Sequence, residues 1–463
     1  GCDVTAGLHS FLNDDEEFRE LADEHGCELT DVRNPPDDLG VSEGRAGEVD
    51  AEVTLTPESI AALGIGLPPG TVRGSGKGQL RIDMPRGAPA RFSLTSDLVG
   101  MGLSLPQLGW DMAPGEGGRF AVAGLLGKVP TIERLELQGA GLKAEGRVLL
   151  TAQGGFDRLE LTRLTVGDWL DVAGRLRGRG AGVLPAIEVG SGSVDMRGAP
   201  FTSSSGTGGG DGRPGGGAPL ILTLDSLRLT DSIVLEDFRA DFDTTRGLNG
   251  RFDAQLGGRT PVKGLAVPQA GGTAFRITGE DAGDVLRAAG LLKTVRDGSF
   301  QLDIAPVRGQ PGSYDGFMRI EGTRLRKAPA IAALLDAVRV VGLLDQLNGP
   351  GIFFTDVEAR FRLTPSRVIV SRSSAVGPSM GISLDGYYDL ASGRMDMQGV
   401  LSPVYIINGI GRLFARKGEG LIGFNFNLAG PVDAPRTSVN PLSVFTPGMF
   451  RDIFRRPPPS VTQ

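Results

Sequence analysis

Apolar and polar residues alternate one by one along most of the chain after about residue 48. In VEARFRL (357–363), every second residue is apolar, and the residues between are Glu or Arg. The same period of two recurs in GFNFNLAG (423–430) and in RLEL at 134–137 and 158–161. Because successive side chains of a strand point to opposite faces, this pattern predicts strands with one buried and one wet face, which is typical of antiparallel sheets.

Helical patterns are few and short beside this alternation. Turn residues such as those at 139–141 and 392–393 separate the alternating segments at short intervals, and 72 Gly and 30 Pro fit many tight turns. The candidate helices lie at 11–25, 281–295, 328–347, 405–416 and 441–456. Since they are too few to alternate with the strands, the pattern argues against a parallel βαβ fold. The sequence predicts a mainly β protein: an elongated, curved antiparallel sheet that forms an apolar groove, with a few short helices at the ends and near the C-terminus.

An acidic cluster precedes the second candidate helix. Glu280, Asp281 and Asp284 stand before an apolar run, and Asp-Gly at 297–298 then turns the chain into another alternating segment. Asp281 occupies the position of an N-cap, and Asp284 the first turn, where a carboxylate complements the helix dipole. We therefore predict that these acids begin a helix and form neither a catalytic nor a metal site.

Charge and composition divide the chain into four parts. Residues 1–50 hold 15 acids and 3 bases, although the whole chain has a net charge of only -7, so the remainder is mildly basic. We predict an acidic, partly helical head at 1–45, a first β segment at 46–200, a Gly/Ser-rich linker or loop at 201–217, and a second β segment with short helices at 218–463. The sequence has no concentrated basic face of the kind that indicates nucleic-acid binding.

The metal-binding and redox residue types lie in the acidic head. Cys2 and Cys27 are the only cysteines, and His9 and His25 the only histidines. Their spacing matches neither CxxC nor HExxH, so no metal site is predicted. Whether Cys2 and Cys27 pair stays open.

The sequence contains no complete motif for catalysis or cofactor binding. GTVRGSGKGQLRI (70–82) has the wrong spacing for GxxxxGK and precedes a strand pattern, so a Gly-rich turn is predicted there. GPSMG (377–381) matches GxSxG in spacing, but there is no His after residue 25 that could act as a base. Trp110 and Trp169 are interpreted as packing residues. We predict neither an enzyme nor a cofactor.

The last candidate helix is amphipathic and basic. Phe445, Phe450 and Phe454 are apolar, and Arg451 and Arg455 stand beside them. This segment either touches anionic lipid or a partner, or packs on the sheet with its arginines near the helix C-terminus. The sequence leaves both open.

The apolar strand faces need a cover, and the sequence offers few helices to supply one. A closed sandwich would be a scaffold, whereas an open sheet would present an apolar trough for acyl chains, at about 0.8 kcal/mol per buried methylene. Periodicity alone does not choose between them.

Five blocks in order resemble the C-terminal part of AsmA-like envelope proteins, the YhdP/TamB-type relatives of Gram-negative bacteria. The blocks are SDLVGMGLSLPQLGW (96–110), EDAGDVLRAAGLLKTVRDGSFQLD (280–303), LLDQLNGPGIFFTDVEARFRL (343–363), GPSMGISLDGYYDLASGRMDMQGVLSPVYIINGIG (377–411) and GPVDAPRTSVNPLSVFTPGMFRDIF (430–454).

The resemblance implies a periplasmic protein that is anchored in the inner membrane and carries phospholipid between the inner and outer membranes, supporting outer-membrane biogenesis and integrity. Its apolar β groove would bind phospholipid acyl chains, and the N-terminal anchor would lie outside the given sequence. The family contributes no catalytic motif, and the head at 1–45 matches nothing in it.

We therefore expect lipid binding without chemistry, on the apolar strand faces. The candidate groove residues are Val357, Phe361, Leu363, Ile382, Leu384, Phe424, Phe426 and Leu428. The alternative is a structural or assembly factor of the envelope that binds proteins through strand edges or the terminal helix.

Overall fold

The protein is described from a computed structural model, which divides into two compact units. The structure describes residues 4–6, 29–31, 45–62, 70–85, 87–127, 129–152, 155–180, 183–200, 217–339, 341–403, 423–431, 435–440, 442–443 and 456–457. Unit 1 consists of residues 1–104, 112–140 and 147–156, and unit 2 of residues 105–111, 141–146 and 157–463. Of the described residues, 63% lie in strands and 10% in helices.

Unit 1 is built around an antiparallel sheet in the order β3-β5-β6-β9-β10. Its elements are β1 (Val4–Ala6), β2 (Leu29–Asp31), β3 (Arg45–Leu55), α1 (Pro57–Ala62), β4 (Val72–Gly74), β5 (Gly76–Pro85), β6 (Ala90–Ser96), β7 (Met101–Leu105), β9 (Arg119–Leu126) and β10 (Thr131–Gly139). Strands β8 (Trp110–Met112) and β11 (Leu142–Leu150) have residues in both units. Leu105, the last residue of β7, belongs to unit 2, and Phe156, the first residue of the strand after β11, belongs to unit 1.

The Gly-rich segment at 70–82 forms a turn followed by β4 and β5, as predicted. Trp110 and Trp169 are 5% and 9% exposed, which confirms that they are packing residues. In the head, β1 and β2 pair in parallel. The predicted helix at 11–25 lies outside the described residues, as do both cysteines and both histidines.

Unit 2 contains a sheet of sixteen sequentially hydrogen-bonded strands, with β20 attached to β22. Its strands are β12 (Phe156–Val166), β13 (Leu170–Arg177), β14 (Ala186–Asp195), β15 (Pro219–Arg228), β16 (Val234–Asp243), β17 (Asn249–Leu256), β18 (Thr260–Gln269), β19 (Gly272–Gly279), β20 (Val295–Arg296), β21 (Ser299–Pro306), β22 (Tyr314–Leu325), β23 (Ile352–Leu363), β24 (Arg367–Val376), β25 (Met380–Asp389), β26 (Arg394–Pro403), β27 (Phe424–Pro431) and β28 (Arg436–Asn440). Its helices are a 3-10 turn (Pro106–Leu108), α2 (Ala282–Ala288), α3 (Pro329–Ala337) and α4 (Val341–Asn348).

Neighbouring strands of this sheet are antiparallel, apart from the parallel pair β14–β15. These two strands flank the predicted linker at 201–217, of which residues 201–216 lie outside the described part of the chain. The predicted fold class, a mainly β protein with a large curved antiparallel sheet and few short helices, is confirmed.

Helix α2 begins as the sequence predicts but ends earlier. The Asp281 carboxylate accepts a hydrogen bond from the Asp284 backbone N–H at 2.8 Å, and Asp284 forms an ion pair with Arg287. The capping interpretation is therefore confirmed. The helix stops at Ala288 rather than 295, because Gly290 takes a left-handed φ of +75° and the chain leaves the helical path there.

The predicted helix at 328–347 is two helices, α3 and α4. Arg339, between them, has a φ of +55°, which interrupts helical geometry. The candidate helices at 405–416 and 441–456 lie outside the described residues, apart from residues 442–443 and 456.

Helices α3 and α4 cover one part of the sheet and form the main buried cluster. Leu334, Leu335 and Leu347 are fully buried. They pack with buried residues of the strands: Ile352, Phe354, Met380, Met397, Leu401, Phe426 and Leu428. This burial stabilises the end of the sheet from β23 to β28.

Candidate functional site: the apolar face of unit 2

Strand register brings apolar residues of unit 2 into continuous rows that run across the strands. The first row contains one residue from each of sixteen strands: Leu159, Leu176, Ile187, Leu220, Phe242, Gly250, Ala266, Phe275, Ile304, Gly316, Phe361, Val370, Gly386, Met397, Leu428 and Thr437. Thr437, at the end of the row, is its single polar member. Directly paired residues point to the same face, so this row is an uninterrupted apolar band from β12 to β27.

Two further rows lie parallel to the first. The second row is Leu161, Gly174, Val189, Leu222, Ala240, Phe252, Gly264, Ile277, Leu302, Met318, Ala359, Ser373, Leu384, Gly399, Phe426 and Val439. The third row is Ala254, Val262, Gly279, Phe300, Ile320, Val357, Ala375, Ile382, Leu401 and Phe424. Ser373 is the single polar residue in these two rows. The three rows together are called the apolar face below.

The opposite face of the same strands is mostly charged. Between the first and second rows, the intervening residues are Glu160, Arg175, Glu188, Ile221, Asp241, Arg251, Leu265, Arg276, Asp303, Phe317, Arg360 and Arg372. Acids and bases pair across strands here, as between Arg276 and Asp303 at 2.5 Å. The sheet is thus amphipathic over its whole extent, and this side is called the polar face.

All eight candidate groove residues lie on the apolar face or continue it. Phe361 and Leu428 are in the first row, Leu384 and Phe426 in the second, and Val357, Ile382 and Phe424 in the third. Leu363 pairs with Tyr314 and Val368 beside the first row. Period-two alternation in the sequence therefore identifies the apolar side of each of these strands.

The apolar face is covered unevenly. Phe426 and Leu428 are 2% and 7% exposed and belong to the cluster beneath α3 and α4, so we assign them to the core rather than to a groove. The other six candidates are half-buried. Helix α2 lies over the third row, where Val285 packs against Gly279.

Between these helical covers, the first and second rows contain a run of half-buried apolar side chains. The run consists of Phe275, Ile277, Leu302, Ile304, Met318, Ala359, Phe361 and Val370, on strands β19 and β21 to β24. It is called the half-buried stretch below. Large side chains of this stretch keep contact with solvent, as do those of the same two rows on β12 to β15, where Ile187 is 37% exposed.

Phenylalanine rings on the apolar face lie over glycines of the neighbouring strand. Phe252 pairs with Gly264, and Phe361 with Gly316. A Cβ atom added to Gly264 or Gly316 would lie 2.1 or 2.2 Å from the Cζ atom of the paired ring. Because glycine has no Cβ atom, the ring can lie flat on the sheet, where it shields the glycine backbone. Sequence reasoning missed these pairs, because cross-strand register is not visible in the sequence.

The rows contain no titratable side chain. The rows themselves therefore contain no side chain that could act as a general acid or base. Within the described ranges, no group of three or more His, Cys, Asp or Glu side chains is placed to hold a metal ion. The arrangement can bury hydrocarbon, and that is the chemistry it offers.

Residue Arg456 binds the polar face of β25 and β26. The Gln398 side chain donates to the Arg456 carbonyl at 2.7 Å and accepts from the Arg456 N–H at 3.0 Å. The Arg456 guanidinium forms two hydrogen bonds with Asp396 and thereby lowers the pKa of that carboxyl. This contact lies on the side of the sheet opposite the apolar face. The residues predicted as a membrane or partner helix, Phe445, Phe450, Phe454, Arg451 and Arg455, lie outside the described residues.

The end of β14 carries a charge network with a measurable pH signature. Arg197 forms two hydrogen bonds with Asp195, at 2.9 and 2.5 Å, and thereby holds the pKa of that carboxyl at about 2, below its usual 3.8; Arg228 adds to the shift. Because the folded-state pKa is lowered, the stabilisation is present above pH 3.8 and is lost as the pH falls towards 2.

We expect the Asp195 carboxyl carbon to titrate near pH 2 by NMR, and Arg197→Gln to move the midpoint towards 3.8. A midpoint near 3.8 in the unsubstituted protein would contradict the network. The variant Arg228→Gln is the milder control, since Arg228 lies 3.9 Å from the carboxylate and should move the midpoint less.

Comparison with known proteins adds one short match. Residues 1–35 match the family model of a domain of unknown function (DUF1611_N), described as a Rossmann-like domain. This covers the acidic head alone and does not extend to the apolar face. No curated protein and no solved structure matches the chain significantly. No helix in the described part of the chain is both long and apolar enough to cross a membrane.

Proposed function

We propose that the apolar face of unit 2 binds the acyl chains of phospholipids, without chemistry. The observation that carries this proposal is the first row, which is apolar or glycine in fifteen adjacent strands. Successive strands lie about 4.8 Å apart, so the row forms a long apolar band. Phe242, Met397 and Leu428 in this band are buried, and its other large side chains keep contact with solvent. A ligand that matches it is long, flexible and apolar.

The partial exposure of the half-buried stretch supports the same proposal. Apolar surface left in contact with water favours a ligand that covers it, at about 25 cal/mol per Å² of buried area. Since a phospholipid headgroup is polar and the rows offer it almost no partner, the headgroup would remain in solvent while its chains lie on the face.

The resemblance to AsmA-like proteins supports a cellular role for this binding. In that role, the protein is anchored in the inner membrane, resides in the periplasm and carries phospholipid towards the outer membrane.

Lipid content tests the binding proposal. We expect the chain, purified without detergent from Gram-negative cells, to release phospholipid in native mass spectrometry and in organic extracts, and to rebind phospholipid after delipidation. A chain that is consistently lipid-free and does not rebind phospholipid would contradict the proposal. It would favour the alternative of a non-catalytic scaffold that binds envelope proteins.

A further inference from the structure

The loop after α2 exposes two consecutive leucines. Leu291 is 66% and Leu292 47% exposed, the former among the most exposed large apolar side chains of the described chain. Their backbone N–H groups donate hydrogen bonds to the Leu286 carbonyl oxygen, with N···O distances of 2.8 and 3.4 Å. These bonds hold the loop against the end of the helix. A fixed loop that keeps two leucines in water is costly unless another surface receives them.

Basic residues surround this loop. Segments 287–296 and 324–327 lie side by side, since Val295 and Arg296 pair with Leu325 and Arg324. Together they contain six basic residues and no acid: Arg287, Lys293, Arg296, Arg324, Arg326 and Lys327.

Only part of this charge is neutralised nearby. Arg287 pairs with Asp284 at 2.7 Å, and Arg324 lies 3.9 Å from Asp297. Lys293, Arg326 and Lys327 are exposed and have no ion pair within the described ranges. The surface therefore combines two exposed leucines with positively charged side chains close to them.

We propose that this loop, residues 289–294, docks the protein on an anionic lipid bilayer. Leu291 and Leu292 would insert among the acyl chains at the interface, while Lys293, Arg326 and Lys327 face lipid phosphates. Each basic residue near an anionic membrane surface is attracted to the lipid phosphates, and insertion of the leucines adds to the binding. A protein partner would need complementary acids as well as a pocket for both leucines. An anionic bilayer supplies negatively charged phosphates and an apolar interior over its whole surface. This docking does not depend on whether the apolar face binds lipid.

Vesicle flotation tests the docking. We expect the full chain to bind vesicles of equal parts phosphatidylcholine and phosphatidylglycerol, less in high salt, and to bind pure phosphatidylcholine weakly. The variant Leu291→Ser/Leu292→Ser should bind the anionic vesicles at least ~10-fold more weakly. Lys293→Gln/Arg326→Gln/Lys327→Gln should lose the preference for anionic lipid.

The matched control is Leu265→Ser/Val267→Ser, which removes an apolar pair of similar exposure, 49% and 48%, from the polar face. It should bind vesicles like the unsubstituted chain. Undiminished binding by the Leu291/Leu292 variant, or absence of binding by the unsubstituted chain, would overturn the proposal. So would light scattering that shows a dimer which these two substitutions dissociate, because the leucines would then contact a second copy.

Discussion

The double substitution Leu302→Glu/Ile304→Glu is expected to weaken binding of a phospholipid with a fluorescent acyl chain on the order of 100-fold. These residues are consecutive inward positions of β21, one in the second row and one in the first. Leu302 pairs with Ile277 and Met318, and Ile304 with Phe275 and Gly316, so both lie in the middle of the half-buried stretch. A carboxylate there must lose its hydration when a chain covers it, at a cost of several kcal/mol, and 2.8 kcal/mol already corresponds to about 100-fold.

The control for this variant is Leu265→Glu/Val267→Glu on β18. It has the same spacing of two residues and the same change of charge, but it lies on the polar face, where both side chains are already about half exposed. We expect it to bind lipid normally. Equal loss in both variants would indicate a non-specific effect of charge, and normal binding by the folded β21 variant would remove the apolar face from the proposed function. Circular dichroism establishes folding, and Leu302→Ser/Ile304→Ser replaces the first variant if glutamate unfolds the sheet.

The sequence alone predicts which side of a strand is apolar, because that depends on a period of two within one segment. For Val357 and Phe361, the alternation is enough, and the structure places both on the apolar face. It likewise predicts the N-terminus of α2, since Asp281 and Asp284 act on backbone groups only a few residues away. Local rules decide both features.

Features that depend on distant residues could not be predicted in this way. The parallel pairing of β14 with β15 joins strands separated by more than twenty residues, and the two-bond contact of Gln398 with Arg456 spans 58. Which part of the apolar face is covered depends on how α3 and α4 pack, and the sequence suggested one helix where Arg339 separates two. This is why Phe426 and Leu428, correctly placed on the apolar side, are core residues.

Replacing Gly316 by alanine is expected to destabilise β22 and β23 by about 1–3 kcal/mol. Alanine normally stabilises a strand relative to glycine, because it restricts the unfolded chain, by about 0.4–1 kcal/mol. At Gly316, alanine should instead lower the stability of the strands, because the new methyl group would lie 2.2 Å from the Phe361 ring. The ring must then swing away from the sheet. Hydrogen exchange of peptides from β22 and β23, followed by mass spectrometry, measures the change locally, which suits a chain of two units.

Two comparisons isolate the ring as the cause. Gly190→Ala on β14 is the control, because its nearest neighbour to an added Cβ is 3.9 Å away, and it should leave exchange unchanged or slower. In a Phe361→Ala background, the cost of Gly316→Ala should disappear, which a double-mutant cycle reads as coupling between the paired residues. An additive result would mean that the glycine is required by its backbone rather than by the ring. If coupling is found, the same substitution should also weaken lipid binding, because the displaced ring rises into the half-buried stretch where the acyl chain is proposed to lie.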